Sequence, residues 1–162
     1  MGTTPNGLPY PDATLPIGEA NEHIQELAEA IDSDWQTFTP TWDGASVDPT
    51  LGNGSLQGRY RRLGDHVDFE IVLQFGTTTT AGTGAWFFGV PVPTEDGTHS
   101  VGTATVTDSS SSTRTHRHVI LRGVFGDNDL YVADDSDSMV GSATLTWADG
   151  DRVTMSGRYR VV

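Results

Sequence analysis

Apolar and polar positions along this chain follow two different periods. Between Ile17 and Ile31 the apolar residues are Ile17, Ala20, Ile24, Leu27 and Ile31, three and four apart by turns. That spacing is a heptad stripe along one face of a helix, with isoleucine at one core position and alanine or leucine at the other. Pro16 and Gly18 mark the start of this helix, and Glu19 and Glu22 suit the positive end of its dipole. Asp32-Ser33-Asp34 closes the segment at residue 34.

Beyond residue 34 the period changes to two. In the clearest run, Val67, Phe69, Ile71, Leu73 and Phe75 are apolar, while His66, Asp68, Glu70 and Gln74 between them are polar; only Val72 departs from the alternation. Such alternation marks a strand with one buried and one wet face. Further strands are predicted over 36–42, 56–63, 85–90, 100–107, 115–124, 129–133, 143–147 and 152–162. Turn signals separate them at Asn53-Gly54, Gly64-Asp65, Glu95-Asp96-Gly97, Gly126-Asp127-Asn128 and Asp149-Gly150. Asp149-Gly150, between two alternating runs, reads as a hairpin turn. Short strands with frequent turns predict a mainly β fold over residues 35–162, an antiparallel β-sandwich or jelly roll.

Residues 1–16 contain Pro5, Pro9, Pro11 and Pro16, which exclude a helix and favour extended backbone. Such an arm has no core of its own. Leu8, Tyr10 and Leu15, set between the prolines, offer a partner protein something to grip. The organisation expected is thus an extended arm (1–16), an amphipathic helix (17–34) and one β domain (35–162), long enough to bury a core without staples.

Composition narrows the function classes. There is no cysteine, hence no disulfide framework and no thiol site. No apolar run approaches the roughly 20 residues of a membrane span, and no signal-peptide pattern opens the chain, so membrane insertion and the secretory route are not expected. Twenty-two acidic residues face nine basic ones, all arginine, for a net charge of −13. That balance repels nucleic acid. It serves solubility, and it suits concentrated salt, where the Debye length shrinks to roughly 3 Å at 1 M. A halophilic host and a high-GC bacterial host both accommodate it.

Several strings carry a resemblance. FTPTW at 38–42, PTLGNGSLQGRY at 49–60 with Gly64 and Val67 after it, and GTTTTAGTGAWFFGVP at 76–91 resemble a β domain of surface proteins of tailed viruses. That domain occurs at the tips of tail fibres and spikes and in small virion-associated proteins. The closing residues DGDRVTMSGRYRVV are similar to its last strand, and the opening from Thr3 to Asp32 is similar to the attachment arm of such proteins. The resemblance implies a homotrimer on the virion surface, on tail or capsid. Its arm would be anchored to another virion protein, and its β domain would face a host-cell glycan or protein. A capsid turret or decoration protein with a purely structural role is the first alternative, and a glycan-degrading spike the second. The helix stripe would align three chains, although a helix packed on its own domain needs such a stripe too, and two heptads are too short to hold a coiled coil alone.

Candidate sites are sparse, and no cofactor is expected. No nucleophile motif, zinc-helix motif or phosphate loop is present. Asp134, Asp135 and Asp137 form the densest carboxylate cluster, the only ground for glycan cleavage, which needs two carboxylates roughly 5–10 Å apart in a groove. The same acidic stretch, 126–138, has calcium-type ligands without the EF-hand register. His116 and His118 share a strand face, where they form either a metal pair or part of a wet surface. The Thr77–Thr80 and Ser109–Ser112 runs read as loop tips. Thr78, Thr79, Ser110, Ser111 and Ser112 are therefore the candidate receptor-contact residues. Trp35, Trp42, Trp86 and Trp147 would stack on sugars if exposed; otherwise they belong to the core or a subunit contact.

Overall fold

The computed structural model describes residues 2–3, 9–10, 22, 24–26, 28, 34–94, 97–124, 127–133 and 139–161. In the arm, two short strands, β1 (Gly2–Thr3) and β2 (Pro9–Tyr10), pair antiparallel. Glu22, Ile24, Gln25, Glu26 and Ala28 are helical, as the heptad stripe predicts. Leu8, Leu15, Ile17, Ala20, Leu27 and Ile31 lie outside the described residues, as do Asp134, Asp135 and Asp137.

The domain is mainly β and antiparallel, as expected. Its strands are β3 (Gln36–Phe38), β4 (Trp42–Gly44), β5 (Ser55–Leu63), β6 (His66–Gln74), β7 (Trp86–Gly89), β8 (Gly97–Asp108), β9 (Thr113–Val124), β10 (Asp127–Ala133) and β11 (Arg152–Arg160). They pair in one continuous sheet in the order β3-β5-β6-β11-β8-β9-β10-β7-β4. The two edge strands, β3 and β4, are consecutive in the chain. From Phe38 to Trp42 there are four residue steps, which reach at most roughly 14 Å. The sheet therefore curls until its two edges face each other.

That curl differs from the single strand expected over 36–42. Thr39-Pro40-Thr41 divides it, and the two halves serve opposite ends of the sheet. Proline has no N–H for a ladder, so the break falls where the chain leaves one edge for the other. Likewise 143–147, expected as a strand, is a turn closed by Thr144 N–H to Gly141 O (3.1 Å) and Gly141 N–H to Thr144 Oγ1 (2.8 Å). Asp149-Gly150 still turns the chain, with Gly150 at φ 87°, but into β11 alone and not between two hairpin strands.

The curl encloses one core. Val67, Phe69, Ile71 and Leu73 of β6 pack with Val153, Met155 and Tyr159 of β11, Val106 of β8, Val119 of β9 and Leu130 of β10. The alternation in β6 and β11 places these residues inside and their polar neighbours outside. At one end Trp42, Phe75, Trp86 and Trp147 form an aromatic cluster. Trp86 lies 5.0 Å from Trp42 and 4.6 Å from Trp147, and Phe75 stacks on Trp147 at 4.8 Å. The Trp86 and Trp147 indoles donate to Ala81 O and Gly141 O. Glycine at 58 makes room for the Phe38 ring where β3 pairs with β5, because a Cβ there would stand 2.3 Å from the ring.

Candidate functional site

Three of the four tryptophans are thus core or partly buried against it, which leaves Trp35 as the exposed one at 37%. Its ring is covered by two guanidinium groups, Arg59 at 4.8 Å and Arg61 at 5.3 Å from the centroid. Cations on both of these approaches stabilise the ring's position and reduce the face open to a sugar.

The threonine and serine loops have internal work. Asn53 Oδ1 accepts from Thr78 N–H (2.8 Å) and Thr78 Oγ1 (2.9 Å), and Thr78 Oγ1 accepts from Asn53 N–H (2.9 Å). Thr79 Oγ1 donates to Leu51 O (2.6 Å) and accepts from Gly76 N–H (2.9 Å). The loop is therefore laced to the 51–54 turn, and Gly52 is left-handed (φ 57°) with no room for a Cβ against Thr78. In the other loop Asp108 Oδ1 accepts from Ser110 N–H and Oγ and from Ser111 N–H. Those bonds, the Ser110 hydroxyl first, hold the Asp108 carboxyl below the ordinary aspartate range. Ser111 Oγ donates to Thr113 Oγ1 (2.8 Å). Ser110, Ser111 and Ser112 are all exposed, as is Thr78. What was expected as two loop tips is thus two internally bonded turns; the sequence shows the threonines and serines, but not that the distant Asn53 binds the threonines.

The outer face of the sheet is the charged surface. Strand register sets Arg59 against Glu70, Arg61 and Arg158 against Asp68, and Arg160 against His66. Among the side chains the structure describes, Arg59, Arg61, Arg114, Arg152, Arg158 and Arg160 occupy outward positions in this register. Most are paired. Arg59 Nη2 lies 2.6 Å from Glu70 Oε2, Arg61 Nε 3.0 Å from Asp68 Oδ2, and Arg158 Nε 2.5 Å from Asp68 Oδ1. Asp65 takes Arg160 Nε at 2.8 Å and His66 Nδ1 at 2.7 Å. Hydrogen bonding from Arg158 holds the Asp68 carboxyl low, opposed by burial and reinforced by Arg61. Arg160 does the same for Asp65. The pairing spans β5, β6 and β11, and fastens three strands through side chains as well as backbone.

Further along the same face, β11, β8 and β9 present Arg152, Thr107 and Arg114 in one cross-strand row. The next row is Thr154, Thr105 and His116. These residues line a shallow depression of about 520 Å³, with Gly150 at one end. His116 and His118 share the outward face as expected, and His116 Nδ1 lies 3.4 Å from Thr105 Oγ1. Among the described residues no group of three or more histidine or acidic side chains is placed to hold a metal ion. In the 126–138 stretch with its calcium-type ligands, Asp127–Ala133 is strand β10, which includes the strand expected over 129–133. A second hollow, about 650 Å³, lies beside edge strand β3, and its lining includes Phe38, Leu56, Val72, Arg59 and Glu70.

Compared with models of known families, with curated proteins and with solved structures, the chain matches none.

Proposed function

We propose that the chain is a non-enzymatic structural protein of a tailed-virus particle. In this reading it is a trimeric surface fibre or spike whose N-terminal arm anchors it to another virion protein, and whose β domain, a sandwich of jelly-roll type, attaches to the host cell. The observation that supports it is the exposure of the one described residue of the helix stripe, beside a core that closes without any described residue of the helix. Among the described residues the core draws on none before Phe38, yet Ile24 of the helix stripe is 59% exposed. A domain that completes its own core leaves an apolar helix face for other chains. The resemblance of the 38–91 and 149–162 strings supplies the kind of particle. Attachment then works by multivalency: weak contacts repeated around three chains and over many spikes sum to firm adhesion.

The test is adhesion. Labelled full-length protein is mixed with intact host cells in their growth salt, and virus adsorption is followed in competition. Saturable binding that blocks adsorption is the expected outcome. Folded protein that neither binds nor competes would overturn host attachment and leave the capsid turret or decoration role.

A further inference from the structure

From the depression on β11, β8 and β9 we infer that this protein has an oxyanion-binding site, in which Arg114 and Arg152 hold a sulfate or phosphate group. The inference concerns ligand chemistry and does not depend on host attachment.

Register assembles the site. Arg152, Thr107 and Arg114 are direct cross-strand neighbours, so the two arginine backbones stand about 10 Å apart with one threonine between them. Long side chains from those positions reach a common point above Thr107. Thr154, Thr105 and His116 form the row beside them, on the same side of the sheet. The hollow therefore presents two guanidinium forks, three hydroxyls and an imidazole N–H, and its lining contains no carboxylate.

The charge arrangement favours the same ligand. Elsewhere on this face the outward arginines whose side chains are described each meet an acid: Arg59 meets Glu70, Arg61 and Arg158 meet Asp68, and Arg160 meets Asp65. In the hollow, Arg152 Nη2 donates only to the neutral amide Gln74 Oε1 (2.8 Å), and Arg114 has no acidic partner among the described residues. Acids outnumber bases here by 22 to nine, so carboxylates were abundantly available to neutralise such a spot. Two adjacent unneutralised arginines flanking hydroxyls leave donors without acceptors. A guanidinium fork matches two oxygens of an oxyanion at once. A tetrahedral sulfate or phosphate offers enough oxygens for both forks and the hydroxyls between them, whereas a carboxylate offers two. The hollow is open and larger than such a group, so an ester on a polymer fits as well as the free ion.

Calorimetric titration of the full chain with inorganic sulfate and phosphate, at ionic strength held constant with chloride, tests the site. A parallel arm uses dextran sulfate against neutral dextran. Saturable binding of the ions, of dextran sulfate or of both is expected, with no binding of neutral dextran. Arg114→Gln/Arg152→Gln should weaken it at least about tenfold. Arg59→Gln/Arg160→Gln, with the same change in charge, should leave it within about twofold. Tighter binding of dextran sulfate than of the ions assigns an ester on a polymer; equal or weaker binding assigns the free ion. The site is overturned if none of these anions saturates the protein, or if both double variants lose affinity equally. Thermal unfolding of both variants establishes that the comparison is between folded proteins.

Discussion

Asp151 is the residue on which one end of the domain depends. It is fully buried, and its carboxylate accepts from Ser109 N–H (2.8 Å), Ser109 Oγ (2.9 Å) and Ala148 N–H (2.7 Å). Its backbone closes the same knot, with Phe75 N–H donating to Asp151 O and Gly150 N–H to Phe75 O. One side chain thus ties the β8–β9 turn to the entry of β11 and to the aromatic cluster. Asp151→Ala would remove the charged acceptor from the part-buried Ser109 and Ala148 N–H bonds, a class of hydrogen bond worth about 1.5–3 kcal/mol each. The expected loss is roughly 3 kcal/mol, or a fall in Tm of about 10 °C for a chain of this length. Thermal unfolding followed by circular dichroism measures it; a variant melting with the wild type would show that water replaces the carboxylate. Sequence shows the Asp149-Gly150 turn, but not the burial of Asp151. Burial arises only when residue 109 is brought to residue 149, and no local pattern encodes that meeting. Arg114 and Arg152 escape sequence reasoning in the same way, since they become neighbours only through the β11–β8–β9 register.

At the scale of elements, β5, β6 and β11 are fastened by Asp68, which serves Arg61 from one neighbour and Arg158 from the other. Because these arginines hold the folded-state pKa of Asp68 below its ordinary value of 3.8, its carboxylate adds stability that is fully present above that value. The contribution is lost as pH falls through the lower, folded-state value. Asp68→Asn should therefore be less stable than wild type near neutral pH, by about 1 kcal/mol once solvent screening of the half-exposed arginines is allowed for. The gap should close as pH falls below about 4. Urea unfolding of both proteins at a series of pH values separates this from the other carboxylates, because only the difference between the two curves reports Asp68. A gap independent of pH would mean that the ion pairs do not stabilise the sheet. These central strands were the legible part of the fold. Their period-two alternation is long, and it directly encodes one buried and one wet face. The edges were not legible, because 36–42 alternates like one strand while Pro40 divides it, and 143–147 alternates while its backbone turns.

At the scale of the whole molecule, the proposed trimer sets charge against assembly. Each chain carries −13, so bringing three together at low ionic strength costs electrostatic work that a stripe of two heptads has little apolar area to offset. Salt changes the balance: the Debye length falls from about 10 Å at 0.1 M to about 3 Å at 1 M, while apolar burial is not screened. Sedimentation velocity should therefore find the trimer fraction of the full chain rising with sodium chloride between these concentrations. Ile24→Asp/Leu27→Asp, which would bury unpaired charge in the bundle, should remain monomeric throughout. Its melting temperature, measured in the monomer, should match that of a wild-type sample dilute enough to dissociate, because the core draws on no described residue of the helix. A wild type that stays monomeric at high salt removes the trimer. A double variant that still trimerises moves the registering contact from the helix to the β domain, and a double variant with a lowered melting temperature shows that the helix packs on its own domain, with Ile24 and Leu27 serving the fold and not the assembly.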